Sequence, residues 1–525
     1  MVRWRQRLLV AVFCSAVAWQ GTAQTKTGIL TYIKQTWKTL TRSNANLAKA
    51  VPDPKFKPEA DGRWPVYIPR TEDTQLVEES LRREMPQTDY KTIDIEQLPE
   101  DLDSLKAQGL LYLPKPYVVP GGRFNEMYGW DSYFIQVGLL RDGELEMAKN
   151  MADDFIYEVK NYGKILNANR TYYLTRSQPP FLTQMVWNVY AKTHDKTWLL
   201  DALPAIVKYY SLWATDPHLI QETGLARYWD FGEGPAPEVL SAEKDADGRT
   251  HYDLVKHYFE THTITDYNLS QYFDKATDTL TPLFYKGDRS MRESGFDPSN
   301  RFGPFNIDII HYNPVCLNSL LFLMEQQTAQ ILDELGKTDE SGKWRELAKL
   351  RAGRVNRLMW DEQDGLYYDY DFANKRVRKY PFLTTFYPLW AGFASKEQAA
   401  RIVKNLPLFE RKGGLRTSTY ASGNQWDSPF GWAPLEMIAV DGLRRYGYDT
   451  EAERISMEFL GTVHRSYLRQ GYIVEKYDVV TGGSDVAKNI HFGYSANQAG
   501  FGWTNAGFTH MYDELSAADK IALMR

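Results

Sequence analysis

Apolar side chains recur at helical spacing through much of this chain. Leu317, Leu320, Leu321, Met324, Ile331 and Leu335 fall three or four residues apart with Thr328 among them, and Gly336 stands where a helix C-cap belongs. Segments 181–193, 199–214, 344–360, 396–406, 435–446 and 451–468 read the same way. Near the N-terminus Ile29, Leu30, Ile33, Trp37 and Leu40 predict a short helix, followed by an extended run, Val51-Pro52-Asp53-Pro54. Residues 61–118 carry Pro and Asp but few long periodic runs, and from about 130 onward helices alternate with long aromatic loops. Strand-like runs are short, with 366–370 and 471–474 as candidates. Many helices in one long chain suggest an all-α toroid with minor short strands in its loops. A helical repeat array is the alternative, although no fixed period of ~34 or ~40 residues is present. The pattern alone does not choose between them.

A chain of 525 residues, 43% hydrophobic, can bury a large core without help from disulfides. Residues 1–23 read as a secretory signal peptide. Arg3, Arg5 and Arg7 precede an apolar stretch from Leu8 to Trp19 that is too short to span a bilayer, and Gly21-Thr22-Ala23 offers small residues for cleavage. The expectation is an exported protein, periplasmic or secreted, with no membrane attachment once the leader is removed. Only Cys316 would then remain, so no internal disulfide is expected. Losing three arginines makes the net charge of −5 more negative still, which argues against nucleic acid as a partner.

Aromatic residues make up 14% of the chain, and most belong in the core. Two clusters instead mix rings with glycine, carboxylates and arginine. One is Pro120-Gly121-Gly122-Arg123-Phe124-Asn125-Glu126-Met127-Tyr128-Gly129-Trp130-Asp131, and the other is Gln425-Trp426-Asp427-Ser428-Pro429-Phe430-Gly431-Trp432. Flat rings cover the C–H face of a pyranose, while charged groups hold its hydroxyls, so a carbohydrate site is expected. Glycosidic hydrolysis needs two carboxyl groups, one protonated to serve the leaving oxygen and one to activate water or attack. With 67 acidic residues, counting cannot select that pair. Two contexts stand out: Glu293-Ser294-Gly295-Phe296-Asp297, where an Asp lies among glycine and rings, and Val474-Glu475-Lys476-Tyr477-Asp478 at the end of an apolar run. Singly, Trp130 and Trp426 could be core, Arg123 and Arg176 scaffold ion pairs, and Asp131 and Asp427 helix N-caps.

Both clusters closely resemble the two signature motifs of trehalases, glycoside hydrolase family 37, and the likeness covers most of residues 115–510. It implies an (α/α)6 barrel with the site in the loops at one end. A single catalytic domain would occupy residues 24–525, with an N-terminal extension over about 24–115. Asp297 matches the general acid of the family's S-G-x-D segment, and Glu475 matches the general base of its E-K-Y-D segment. Arg123, Trp130, Asp131, Asn167, Gly295 and Trp426 match sugar contacts, as do Arg176, Ser177 and Gln178 of an R-S-Q triplet. The implied reaction is inverting hydrolysis of α,α-trehalose to two glucose molecules by a monomer, with no metal or organic cofactor.

Two positions depart from the commonest pattern. Where many relatives have R-P-E, this chain has Ala236-Pro237-Glu238, keeping Glu238 as a sugar contact but not the arginine. Fungal neutral trehalases resemble it here, and share a longer interval ending like Asp288-Arg289-Ser290-Met291-Arg292-Glu293-Ser294-Gly295. Where many relatives have G-E-Y, with a sugar-contacting Glu, this chain has Phe492-Gly493-Tyr494. These changes leave open an inverting α-glucosidase acting on another α-glucoside. A non-catalytic sugar-binding protein is the reading from a different class, disfavoured because both Asp297 and Glu475 are kept.

Overall fold

The computed structural model describes residues 27–241, 244, 247–494 and 496–525; the leader expected over residues 1–23 lies outside them. Helix α1 (Ile29–Leu40) buries Ile29, Ile33, Trp37 and Leu40 on one face, as its spacing predicts. A small α/β unit follows. Strands β1 (Trp64–Ile68), β2 (Ile93–Gln97) and β3 (Leu110–Leu111) form a parallel sheet in the order β2-β1-β3, with α2 (Thr74–Glu84) in the crossover. The sequence pattern missed this sheet because its strands are short and mixed with Pro and Asp. Its core is separate from the main one and includes Val66, Ile68, Val77, Leu81 and Leu110.

Hairpins of inner and outer helices build the rest. They are α3 (Gly129–Asp142) with α4 (Leu145–Asn161), and α5 (Leu182–Thr193) with α6 (Lys196–Trp213). After α7 (Pro282–Glu293), which stands outside the ring, come α8 (Val315–Glu334) with α9 (Thr338–Met359), and α10 (Tyr387–Ala391) with α11 (Lys396–Lys404). The last are α12 (Ala433–Arg445) with α13 (Asp449–Gln470), and α14 (Gly502–Glu514) with α1 as its outer partner. Helix α3 packs on α5, α5 on α8, α8 on α10, α10 on α12, α12 on α14, and α14 back on α3. Six inner helices thus close a ring, and the chain is an all-α (α/α)6 barrel.

Inner and outer helices differ as their positions require. In α3 every residue from Gly129 to Leu139 except Val137 is buried, whereas α9 buries only a stripe that includes Ala348, Arg351, Val355 and Met359. A helix buried all round has no polar face, so its sequence shows no amphipathic period. The stretches after Gly129 and after Phe501 are helices of this kind, which no apolar period marks. The strand candidate at 366–370 corresponds to Leu366–Tyr367 and Asp369–Asp371, whereas the one at 471–474 is displaced to β5 (Lys476–Asp478), which pairs antiparallel with β4 (Phe430–Trp432). That pairing sets Lys476 opposite Trp432 and brings the Glu475 segment against the second aromatic cluster.

Candidate active site

The candidate site gathers at the N-terminal ends of inner helices. Trp130 and Asp131 open α3, Arg176, Ser177 and Gln178 lie just before α5, the second cluster runs into α12, and Trp503 opens α14. Backbone N–H groups there lack helical partners and are free to bind side chains or ligands. One is used at once: the Trp130 N–H donates to Gln178 Oε1 at 2.9 Å.

Asp297 follows the end of α7. Gly295 has φ +76°, and a Cβ there would lie 2.9 Å from the Trp130 indole, so only glycine lets the chain pass the ring. The Asp297 side chain is 37% accessible, yet it is surrounded by protein, as a group on a cleft wall would be. Burial pushes its pKa up to about 7, against the opposing charges of Arg292 and Arg176. Arg292 Nη1 lies 3.8 Å from its Oδ2, while a bidentate grip on Asp288 one turn back holds the guanidinium.

Glu475 is almost fully enclosed, at 1% accessible. Its Oε1 accepts from the Tyr494 hydroxyl, and its Oε2 lies 3.3 Å from Lys476 Nζ. Its backbone carbonyl accepts from the Trp503 indole N–H and the Thr504 hydroxyl, both at 3.1 Å, which anchors the segment to α14. Burial lowers the pKa of Lys476, with the Glu475 charge working the other way. The two carboxyl groups share an environment. Asp131 is held well above the usual carboxylate range by burial, then by the charge of Glu475 and that of Asp297. Lys476 and Tyr494 likewise feel both Glu475 and Asp297.

The other expected residues surround this pair. Arg123 is exposed, its guanidinium 4.4 Å from the Tyr494 ring centroid and its N–H donating to Gln498 Oε1. Arg176 is buried, pairs with Glu238 and lies over the Tyr173 ring. Asn167 is buried, with backbone bonds to Gly129 and Arg176 that tie the R-S-Q loop to α3. The Ser177 hydroxyl faces the scaffold, donating to the Ile165 carbonyl at 2.6 Å and bonding Tyr209 Oη at 2.9 Å, while its N–H reaches Glu293. Trp130 and Trp426, each 2% accessible, join Trp432 and Trp503 in a packed group of indoles, with Trp426 stacked on Trp432 at 3.8 Å. These rings pack against both carboxylate segments, Trp130 beside Gly295 and Trp503 on the Glu475 carbonyl. Neither Asp131 nor Asp427 is an N-cap. Asp131 lies inside the first turn of α3, and Asp427 accepts from Asn300 N, Tyr380 Oη, Ser418 Oγ and Ser422 Oγ as a buried clamp.

Sequence reasoning assigned no role to Arg292, Gln425, Lys476 or Tyr494. Each lies within a motif already singled out, but nothing in spacing shows which motif letters face the carboxylates. The two departures also acquire a physical reason. Ala236 is buried with its N–H on Tyr252 Oη, and Tyr252 in turn donates to Asp288, the partner of Arg292. The cation beside Asp297 thus comes from α7. Gly493 has φ +110°, and a Cβ there would lie 2.7 Å from Gln425 Cδ, so Gln425 occupies the space a longer side chain would need.

The trehalase family model matches residues 19–516. A cytosolic neutral trehalase of Kluyveromyces lactis is 35% identical over 90% of this chain and 69% of its own length. One of Emericella nidulans is 34% identical over 93% of this chain and 72% of its own length. The structure of neutral trehalase Nth1 from Saccharomyces cerevisiae superposes with a TM-score of 0.78 at 33% identity, covering 94% of this chain and 95% of that one. These relatives are named cytosolic, which overturns the exported location, periplasmic or secreted, and the signal peptide expected from residues 1–23: a short apolar stretch after arginines is a weak discriminator of compartment. By family match, by identity over nine-tenths of its length and by fold, this chain belongs to the trehalase family.

Proposed function

We propose that this chain hydrolyses α,α-trehalose to two glucose molecules with inversion, Asp297 acting as general acid and Glu475 as general base. The observation that carries the reading is the unequal treatment of two carboxyls in one cleft. Asp297 is pushed by burial to a pKa of about 7, where a protonated acid persists near neutrality. Glu475 is oriented by donors on both oxygens. Asp297 gives its proton to the bridging oxygen as the glycosidic bond breaks. A water attacks the anomeric carbon from the opposite face and loses its proton to Glu475, and solvent exchange then restores both groups.

Arg123, Asp131, Asn167, Arg176, Gln178 and Glu238 bind hydroxyls in this reading, Ser177 and Gly295 shape the loops, and Trp130 and Trp426 support the carboxylate segments. Residues 24–525 act as one catalytic domain, the extension over about 24–115 included. The names of the relatives accompany it with a cytosolic setting. The test is glucose release from trehalose by the purified protein, with NMR of the first-formed anomers. Equal α- and β-glucose is expected, because one ring departs unchanged and the other is inverted. Only α-glucose would contradict inversion, and no release from trehalose with turnover of another α-glucoside would contradict the substrate.

A further inference from the structure

We propose that Lys55, carried in by the N-terminal extension, completes the sugar cleft on its Glu238 side by binding hydroxyls of the departing glucose. The inference rests on the function proposed above and adds a binding residue to it.

The extension is clamped onto the site by a buried arginine. Arg170, at 0% accessible, donates to the carbonyls of Val51 at 2.8 Å, Ala50 at 2.7 Å and Pro52 at 3.4 Å, and pairs with Glu126 of the first aromatic cluster. Asp53 then turns the chain. Its Oδ1 accepts from the Lys55 N–H at 2.9 Å, and its Oδ2 accepts from the Tyr172 hydroxyl at 2.8 Å. Phe56 packs on Tyr172 with ring centroids 5.0 Å apart. These contacts hold the backbone at Lys55 against Tyr172.

A run of contacts links its side chain to the site. Lys55 Nζ lies 3.5 Å from Tyr172 Oη, Tyr172 packs against Tyr173 at 4.5 Å, and Tyr173 carries the Arg176 guanidinium that pairs with Glu238. Burial works against the Lys55 charge, but Tyr173, Glu126, Asp53 and Glu238 outweigh it and raise the pKa. Glu238 binds Arg176 through Oε1, and its buried Oε2 has no donor among the described residues. Bonds also tie the Glu238 segment to Asp297: the Ala236 N–H donates to Tyr252, Tyr252 donates to Asp288, and Asp288 holds the Arg292 that lies 3.8 Å from Asp297, whereas Glu475 is held directly by Tyr494 and Lys476. In an inverting reaction the ring that is attacked sits over the base, and the departing ring lies beyond the acid. Lys55 is therefore a cation on the departing side, and the N–H groups it does not spend on Tyr172 suit hydroxyl oxygens.

The experiment is calorimetric titration of trehalose into Asp297→Asn protein carrying Lys, Met or Arg at position 55, with thermal unfolding of each. Lys55→Met is expected to weaken trehalose binding ~10-fold or more, the size of a lost hydrogen bond to a charged donor, and Lys55→Arg to recover most of it. Unfolding midpoints should agree within a few degrees. Unchanged affinity for the Met variant would overturn the proposal, as would a loss that Arg does not rescue and that accompanies a lowered midpoint. Glucose release by the unaltered protein separates the two readings. Without it the proposed function fails and takes this inference with it; with it, full affinity in Lys55→Met removes this inference alone.

Discussion

Lys476 and Gln425 share a hydrogen bond of 3.0 Å, Nζ to Oε1, that joins the two carboxylate segments. The Gln425 amide donates to the Asp297 carbonyl, while Lys476 Nζ lies 3.3 Å from Glu475 Oε2. The Lys476 ammonium also sits 3.8 Å from the Tyr494 ring centroid and 5.0 Å from that of Trp432, so it is fixed on several sides. Both candidate catalytic groups are thus registered against one short polar chain rather than held separately.

Removing the middle of that chain should misplace the base. Lys476→Met is expected to lower kcat ~100-fold or more with a smaller effect on KM, because breaking a buried pair leaves Glu475 without its cation. Steady-state kinetics on trehalose checks it. A kcat within twofold of the parent would show that Lys476 does not position Glu475.

Asp297→Asn and Glu475→Gln should each remove turnover by ~10²–10⁴-fold or more, since neither amide can supply or take the proton. Circular dichroism should report an unchanged fold. A variant that keeps a tenth of the parent rate would refute the role given to its residue.

The pH dependence has a definite sign. Asp297 must be protonated to act as acid, so kcat/KM should fall as pH rises through about 7. Stability follows the same group. Its pKa is raised from 3.8 in the fold, so the folded state binds more protons than the unfolded chain between those values. The contribution to stability is fully present below pH 3.8 and is lost as pH rises through about 7. Asp297→Asn should therefore gain in unfolding midpoint, relative to the parent, on going from pH 4 to pH 8. Parallel pH profiles for the two proteins would contradict the shift.

Gly493 offers a test of the departure from G-E-Y. A side chain at φ +110° is strained, and its Cβ would meet a Gln425 side chain already pinned at both ends. Gly493→Ala should destabilise by about 1–3 kcal/mol and lower kcat/KM by about tenfold, through displacement of Gln425. Equal stability and activity would mean that the loop accommodates the change without touching Gln425.

Much of this fold was legible because outer helices and long inner ones, such as α8, carry an apolar period. The parts that were not legible failed for physical reasons. Helix α3 is buried on every side, so the period that marks a helix is absent where Trp130 and Asp131 sit. The sheet of β1, β2 and β3 was hidden in short strands, yet it belongs to the unit that brings Lys55 to the site. Asp297 and Glu475 were selected by their local company of glycine and aromatic rings. Gln425 and Tyr494 could not be, because what sets them apart is contact with residues far away in sequence.

Arg292 gives the sharpest test of how the acid is tuned. Its guanidinium lies 3.8 Å from Asp297 and is one of the charges that oppose the upward push of burial. Taking it away should let the Asp297 pKa rise further. Arg292→Met is therefore expected to move the high-pH limb of kcat/KM upward from about 7. The same change strips Asp288 of both its bonds from Arg292, leaving a buried carboxylate on Tyr252 alone, so a lower unfolding midpoint is expected alongside. Arg292→Lys separates the two effects by keeping a charge while losing the bidentate grip on Asp288. It should leave the limb close to its original position and still lower the midpoint. A limb that stays fixed in Arg292→Met, or moves downward, would show that Arg292 does not set the protonation of Asp297.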